Sequence, residues 1–190
     1  MTRRYAARLA GSLVVLALAA VGASGCSSGK SHSTSSAGSS GSAVAALSSK
    51  TFDGVTVAGV TDLANKPKVS AKSSEVPSSL MVQDLVLGDG AAATPTSTVT
   101  VQYVGIRYTD GKQFDASWDH NGAVSFSLQQ VVPGFAQGIG GNSQTTPMKV
   151  GGRRIMILPP DLGYGATGTQ DGSIPPNTPI VFVVDLIGVN

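Results

Sequence analysis

The stretch Asp110-Gly111-Lys112-Gln113-Phe114-Asp115-Ala116-Ser117 sets a carboxylate beside an aromatic ring, just after a tight-turn signal. Asp115 could be a general acid or base, a structural hydrogen-bond acceptor, or a binding-site carboxylate that moves no proton. Other reactive side chains are scarce. The two histidines, His32 and His120, lie far apart without metal-ligand spacing, and Cys26 is the only cysteine. Neither HExxH, CxxC nor a GxSxG elbow occurs. His120 falls in the polar run Asp119-His120-Asn121-Gly122, a loop setting that argues against a Ser-His-Asp triad. Gly163 to Gly168 (GYGATG) matches the dinucleotide fingerprint in letters alone. That fingerprint needs a strand before it and a helix opening on it. Pro159-Pro160 precede it and a turn-rich segment follows, so the glycines are expected to shape a long loop carrying Tyr164. No metal or cofactor is expected.

The elements that must position Asp115 are mostly strands. LMVQDLVL (80–87), STVTVQY (97–103), VSFSL (124–128), RRIMILP (153–159) and IVFVVDLI (180–187) are the strand segments. Val99, Val101 and Tyr103 alternate with Thr98, Thr100 and Gln102, the period of a half-buried strand. Ile180, Phe182, Val184 and Leu186 share a face in the last one. Asp110-Gly111 predicts a hairpin into Gln113–Ser117. One helix is expected, opening at Val132-Pro133 with proline in its first turn and ending near Gly140. The fold class is therefore α+β, an antiparallel sheet with one short helix against it.

Composition divides the chain. Eight of the ten aromatic residues lie between Tyr103 and Phe182, which locates the core in the C-terminal half. Residues 1–25 read as a leader: Arg3, Arg4 and Arg8, then an apolar run from Leu13 to Val21, too short for a membrane span. Ala23-Ser24-Gly25-Cys26 resembles a bacterial lipobox, with Ala23 where that pattern prefers Leu. Cys26 is the expected lipidation site. Without the leader, ten Lys and Arg face eleven Asp and Glu, so no basic surface supports nucleic-acid binding. Residues 26–50 form a Ser/Gly-rich tether, since they lack the apolar content to fold. Residues 51–78 are an N-terminal extension expected at the domain edge, with a short strand at Val55 to Ala58, and residues 79–190 form the domain.

The blocks VTVQYVG (99–105), DGKQFDAS (110–117), VVPGF (131–135), MKVGGRR (148–154), PPDLGYGATG (159–168) and IPPNTPIVFVVDLI (174–187) resemble the FKBP family of peptidyl-prolyl cis–trans isomerases. The resemblance covers about residues 80–189 and implies a twisted antiparallel sheet wrapped around a short helix. It implies catalytic roles for Tyr103, Phe114, Asp115, Val132, Tyr164 and Phe182, and substrate-binding roles for Phe126, Val131, Phe135 and Ile174. In the family the position of Phe135 is often Trp, and an aromatic residue is common at that of Val124. Gly141 to Pro147 looks like an insertion. The implied activity is rotation about X–Pro bonds in unfolded or flexible exported proteins, at the outer face of the cell membrane through a lipid anchor. Macrolides are implied inhibitors. The alternative is a non-catalytic module that holds proline-containing segments or a partner, and a weaker one is capture of an apolar small molecule.

Overall fold

The computed structural model describes residues 48–190. The leader, Cys26, His32 and nearly all of the tether lie outside the described residues.

Among the described residues, nine strands build two sheets. The first is a three-stranded antiparallel meander of β1 (Ser49–Phe52), β2 (Val55–Ala58) and β3 (Lys68–Ala71). Asp53 and Gly54 join β1 to β2, both with positive φ (45° and 74°). A two-residue Asp-Gly loop with that geometry matches the twist of a hairpin.

The second sheet comprises β4 (Met81–Val86), β5 (Thr98–Arg107), β6 (Gln113–Ala116), β7 (Val124–Ser127), β8 (Arg153–Leu158) and β9 (Ile180–Val189). Its order is β4-β8-β9-β5-β6, and β7 pairs with β5 as well. Both β6 and β7 fit because they use different halves of the long β5: Val104 to Ile106 for β6, Thr98 to Val101 for β7. Every pairing is antiparallel. Among the described residues a single α-helix, α1 (Pro133–Gly140), starts with proline in its first turn as expected. Its glycines lower helix propensity but let it lie close to β8. A Cβ on Gly134 would sit 2.5 Å from Leu158 Cγ, and one on Gly138 would sit 2.1 Å from Met156 Sδ.

The sheet buries both faces. One carries Val99, Val101, Phe182, Val184 and Leu186 together with Phe135 and Ile139 of α1. The other carries Val104, Ile106, Ile155, Ile157, Val181 and Val183, packed with Val55, Val57, Val60 and Ala71 of the meander. The sequence expectation put residues 51–78 at the domain edge. In the structure Val55 and Val57 of that segment are fully buried in the second of these clusters. This is why Ile180 to Leu186 is buried without alternation: each face of β9 has a cover.

Two buried arginines tie these layers together. Arg153 Nη2 donates to Asp185 Oδ2 at 2.6 Å, and its guanidinium also reaches the carbonyls of Gly59 and Asn65 between β2 and β3. Arg154 donates to both oxygens of Asp84 (2.6 and 2.9 Å) and to the carbonyls of Gly138 and Thr146 (2.8 and 2.7 Å). The first links the meander to the sheet. The second holds the end of α1 and the Gly141–Pro147 segment against β8 and β4.

Candidate active site

Strand register explains how the site residues meet. Gly105 of β5 stands opposite Phe182 of β9 on one side and Asp115 of β6 on the other. Gly105 contributes no side chain, and the rings of Phe114 and Phe182 occupy its space. A Cβ there would lie 2.5 Å from Phe114 Cζ and 3.0 Å from Phe182 Cε1. Phe114 and Asp115 are consecutive, and consecutive residues of a regular strand point to opposite faces. Here Gly105 pairs with Asp115 but Ile106 pairs with Gln113, so Phe114 is the extra residue of a β-bulge. The bulge re-aims the side chain, and both Phe114 and Asp115 line one cavity.

That cavity, of about 390 Å³, is lined by Tyr103, Phe114, Asp115, Phe126, Gln130, Val131, Val132, Phe135, Tyr164 and Phe182. Phe135, from the first turn of α1, is buried and is the hub of the aromatic lining. Its ring centroid is 5.1 Å from Phe182, 6.2 Å from Phe126 and 6.4 Å from Tyr103, all edge-to-face. Phe114 meets Phe182 edge-on at 5.6 Å. These are the arrangements that aromatic quadrupoles favour.

The polar groups sit at the rim. The Tyr103 hydroxyl donates to Asp115 Oδ2, and His120 Nε2 lies 3.1 Å from Asp115 Oδ1. Burial first, then the hydrogen bond and charge of Asp115, push the Tyr103 phenol well above the ordinary tyrosine range. Burial also raises Tyr164, with the nearby charges of Asp115 and Asp171 adding to it. Both phenols therefore keep their protons at neutral pH, and that of Tyr103 is donated to Asp115. The Val132 carbonyl accepts from Phe135 and Ala136, while its own N–H makes no backbone hydrogen bond among the described residues.

Nine of the ten residues expected at the site line this cavity. Ile174 does not: it is 1% exposed and belongs to the hydrophobic cluster on the helix-bearing face. Val124 is not a lining residue either; it packs on that cluster and pairs with Val101. The sequence reading missed Gln130, which lines the cavity just before Val131. A pair of amides, Gln129-Gln130, ahead of an apolar pair was the available signal. The GYGATG segment follows a 3-10 turn, Pro160–Leu162, and Gly165 and Gly168 take positive φ (62° and 69°). No helix opens on it.

Asp115→Ala should lower kcat/KM by about threefold to tenfold, because Tyr103 loses an acceptor worth ~1 kcal/mol. A peptide cis–trans exchange assay reads this, and a complete loss would instead make Asp115 an acid or base.

The family model described as FKBP-type peptidyl-prolyl cis-trans isomerase matches residues 90–187. An "FK506-binding protein" of Streptomyces anulatus is 41% identical over 126 residues, covering 65% of this chain and 97% of its own length. A "Probable FK506-binding protein" of Corynebacterium glutamicum is 37% identical over 122 residues, covering 64% and 97%. The crystal structure of AtFKBP13 superposes with a TM-score of 0.56 at 34% identity, covering 62% of this chain and 98% of that one.

Proposed function

Because this chain belongs to the FKBP-type peptidyl-prolyl cis-trans isomerase family, we propose that it turns X–Pro bonds of exported proteins by holding the twisted amide in the aromatic cavity. The observation that carries this reading is the lining. Six of its ten residues are Phe or Val, and its one carboxylate, Asp115, is already engaged by Tyr103 and His120.

Rotation about a peptide bond is opposed by about 18–20 kcal/mol of amide resonance. For X–Pro the two isomers are close in energy, yet uncatalysed exchange takes roughly 10–100 s. No bond breaks, so the enzyme need only bind the twisted amide better than either planar form. Twisting reduces the charge separation between amide N and O. A dry apolar wall therefore disfavours the planar amide more than the twisted one. Phe114, Val131, Phe135 and Phe182 supply that wall and receive the proline ring. Val132 N–H and the Tyr164 hydroxyl donate to the bound chain and hold it while the bond turns. Each 1.36 kcal/mol of preference is about a tenfold gain in rate, so a few such contacts suffice without proton transfer.

The substrate is an X–Pro segment of an unfolded or flexible chain, with an apolar residue before proline because the same walls must accept it. Two relatives carry FK506 in their names, which supports FK506 as a competitor for the cavity. The test is cis-to-trans exchange of an apolar X–Pro peptide with the purified chain. Acceleration that FK506 abolishes is expected. Acceleration untouched by saturating FK506 would put turnover outside the cavity, and no acceleration at micromolar protein would end the isomerase reading.

The place of action follows from the leader. Residues 1–25 are removed, Cys26 carries the lipid, and the tether holds the domain off the outer face of the membrane. Mass spectrometry of the mature N-terminus decides this: an unmodified Cys26 ends the anchored reading.

A further inference from the structure

His120 lies outside the cavity lining but touches the one carboxylate within it. Its backbone N–H donates to the Ser117 carbonyl (3.1 Å), closing the short turn Ser117–Asp119, and its Nε2 is 3.1 Å from Asp115 Oδ1. The other oxygen of Asp115 accepts from the Tyr103 hydroxyl inside the cavity. The carboxylate is thus gripped from two sides, by a phenol facing the pocket and by an imidazole facing solvent. We propose that His120 is a positioning residue of the isomerase, setting the orientation of Asp115 and through it of Tyr103. This rests on the cavity being the site of turnover.

The physical reason is that an imidazole is not a constant donor. With both nitrogens protonated, Nε2–H must donate, and the bond to the carboxylate is charge-assisted. In the neutral ring, one tautomer still donates from Nε2, while the other turns a lone pair toward Asp115 Oδ1. The second tautomer repels the carboxylate and leaves Tyr103 less firmly held. A ring that carries both protons therefore grips the carboxylate more firmly than a neutral one.

The surrounding charges leave this contact as the one that responds. Asp119, on the same turn, is taken up by Lys66 Nζ (2.6 and 2.8 Å), from the segment between β2 and β3, and by Gln113 Nε2 (2.7 Å) of β6. Tyr103 of β5 and Tyr164 of the segment after β8 are phenols that burial keeps protonated. His120 is the only histidine among the described residues. Its side chain is 66% exposed and that of Asp115 38%, so the effect is modest, as for other exposed pairs.

The experiment compares the wild-type chain with His120→Arg and His120→Asn from pH 5.5 to 8.5. NMR exchange spectroscopy on an apolar X–Pro tetrapeptide measures turnover without a coupling protease. Wild-type kcat/KM should be about two- to fivefold higher at the acid end, mainly through KM. His120→Arg, always charged, should stay at the upper level throughout, and His120→Asn at the lower. A wild-type profile that is flat, an inflection that survives in His120→Arg, or a kcat change with constant KM would each overturn the proposal. Turnover without an inflection defeats this assignment alone. No turnover in the wild type defeats the cavity reading and this one with it.

Discussion

Arg153→Ala should remove about 3–5 kcal/mol of stability, the typical cost of breaking a buried ion pair from one side. Arg153 is 0% exposed and Asp185 is nearly so. Truncation leaves a carboxylate without its cation and strands the carbonyls of Gly59 and Asn65. Since Arg153 is what joins those carbonyls to β9, the meander should loosen first, and proteolysis should cut between β2 and β3 before the sheet unfolds. The loss has a pH signature. Burial pushes the Asp185 carboxyl above its ordinary value, and Arg153 works against that push. Without Arg153 the push is unopposed. A folded-state pKa raised above the unfolded one means the native state binds more protons, so stability falls as pH rises. The deficit of Arg153→Ala should therefore narrow as pH drops from 8 toward the ordinary carboxylate range. Urea denaturation at pH 8 and pH 5 measures it. Equal deficits at both would show that Asp185 is solvated in the variant. Replacing both partners, with Arg153→Met and Asp185→Leu, should recover much of the stability, as apolar substitutes for buried pairs often do.

Phe135→Ala should cost about 3–5 kcal/mol of stability and at least tenfold in kcat/KM. The ring is 4% exposed and meets Tyr103, Phe126 and Phe182 edge-to-face. Removing it deletes the contacts that hold three other cavity rings and opens the site to water. Water stabilises the planar, polar amide, which is the state the cavity must disfavour. Phe135→Leu keeps an apolar group there and should fall between the two, separating dryness from ring-to-ring packing. Turnover must be read on folded protein, checked by near-ultraviolet circular dichroism. A folded Phe135→Ala with wild-type turnover would move the reaction out of the cavity.

Much of this was legible in the residues. The alternation at Thr98 to Tyr103, the Asp110-Gly111 turn and Pro133 before a short apolar run each predict an element that forms. They did so because periodicity and turn chemistry depend on neighbours along the chain. The ordered blocks carried the identity of nine cavity residues. Ile174, expected with the site residues, lies in the core cluster and not in the cavity lining, since an apolar side chain in a shared block carries no mark of which way it points.

What chain neighbours cannot encode was settled in three dimensions. Alternation assigns Phe114 and Asp115 to opposite faces, and only the mismatch of register against Gly105 and Ile106 brings both into the cavity. Arg153 has no local partner at all; Gly59 is 94 residues away in the chain. A run such as Ile180 to Leu186 says that both faces are buried but not what buries them, and here the cover is a meander from the N-terminal segment. Asp115 entered as a carboxylate of undecided chemistry. Its neighbours in space, the Tyr103 hydroxyl and the His120 ring, make it an acceptor that holds the rim. Local sequence determines which elements can form, because propensity is short-ranged. Bulges, buried ion pairs and the aim of a side chain arise from packing between distant segments, and only the folded chain decides them.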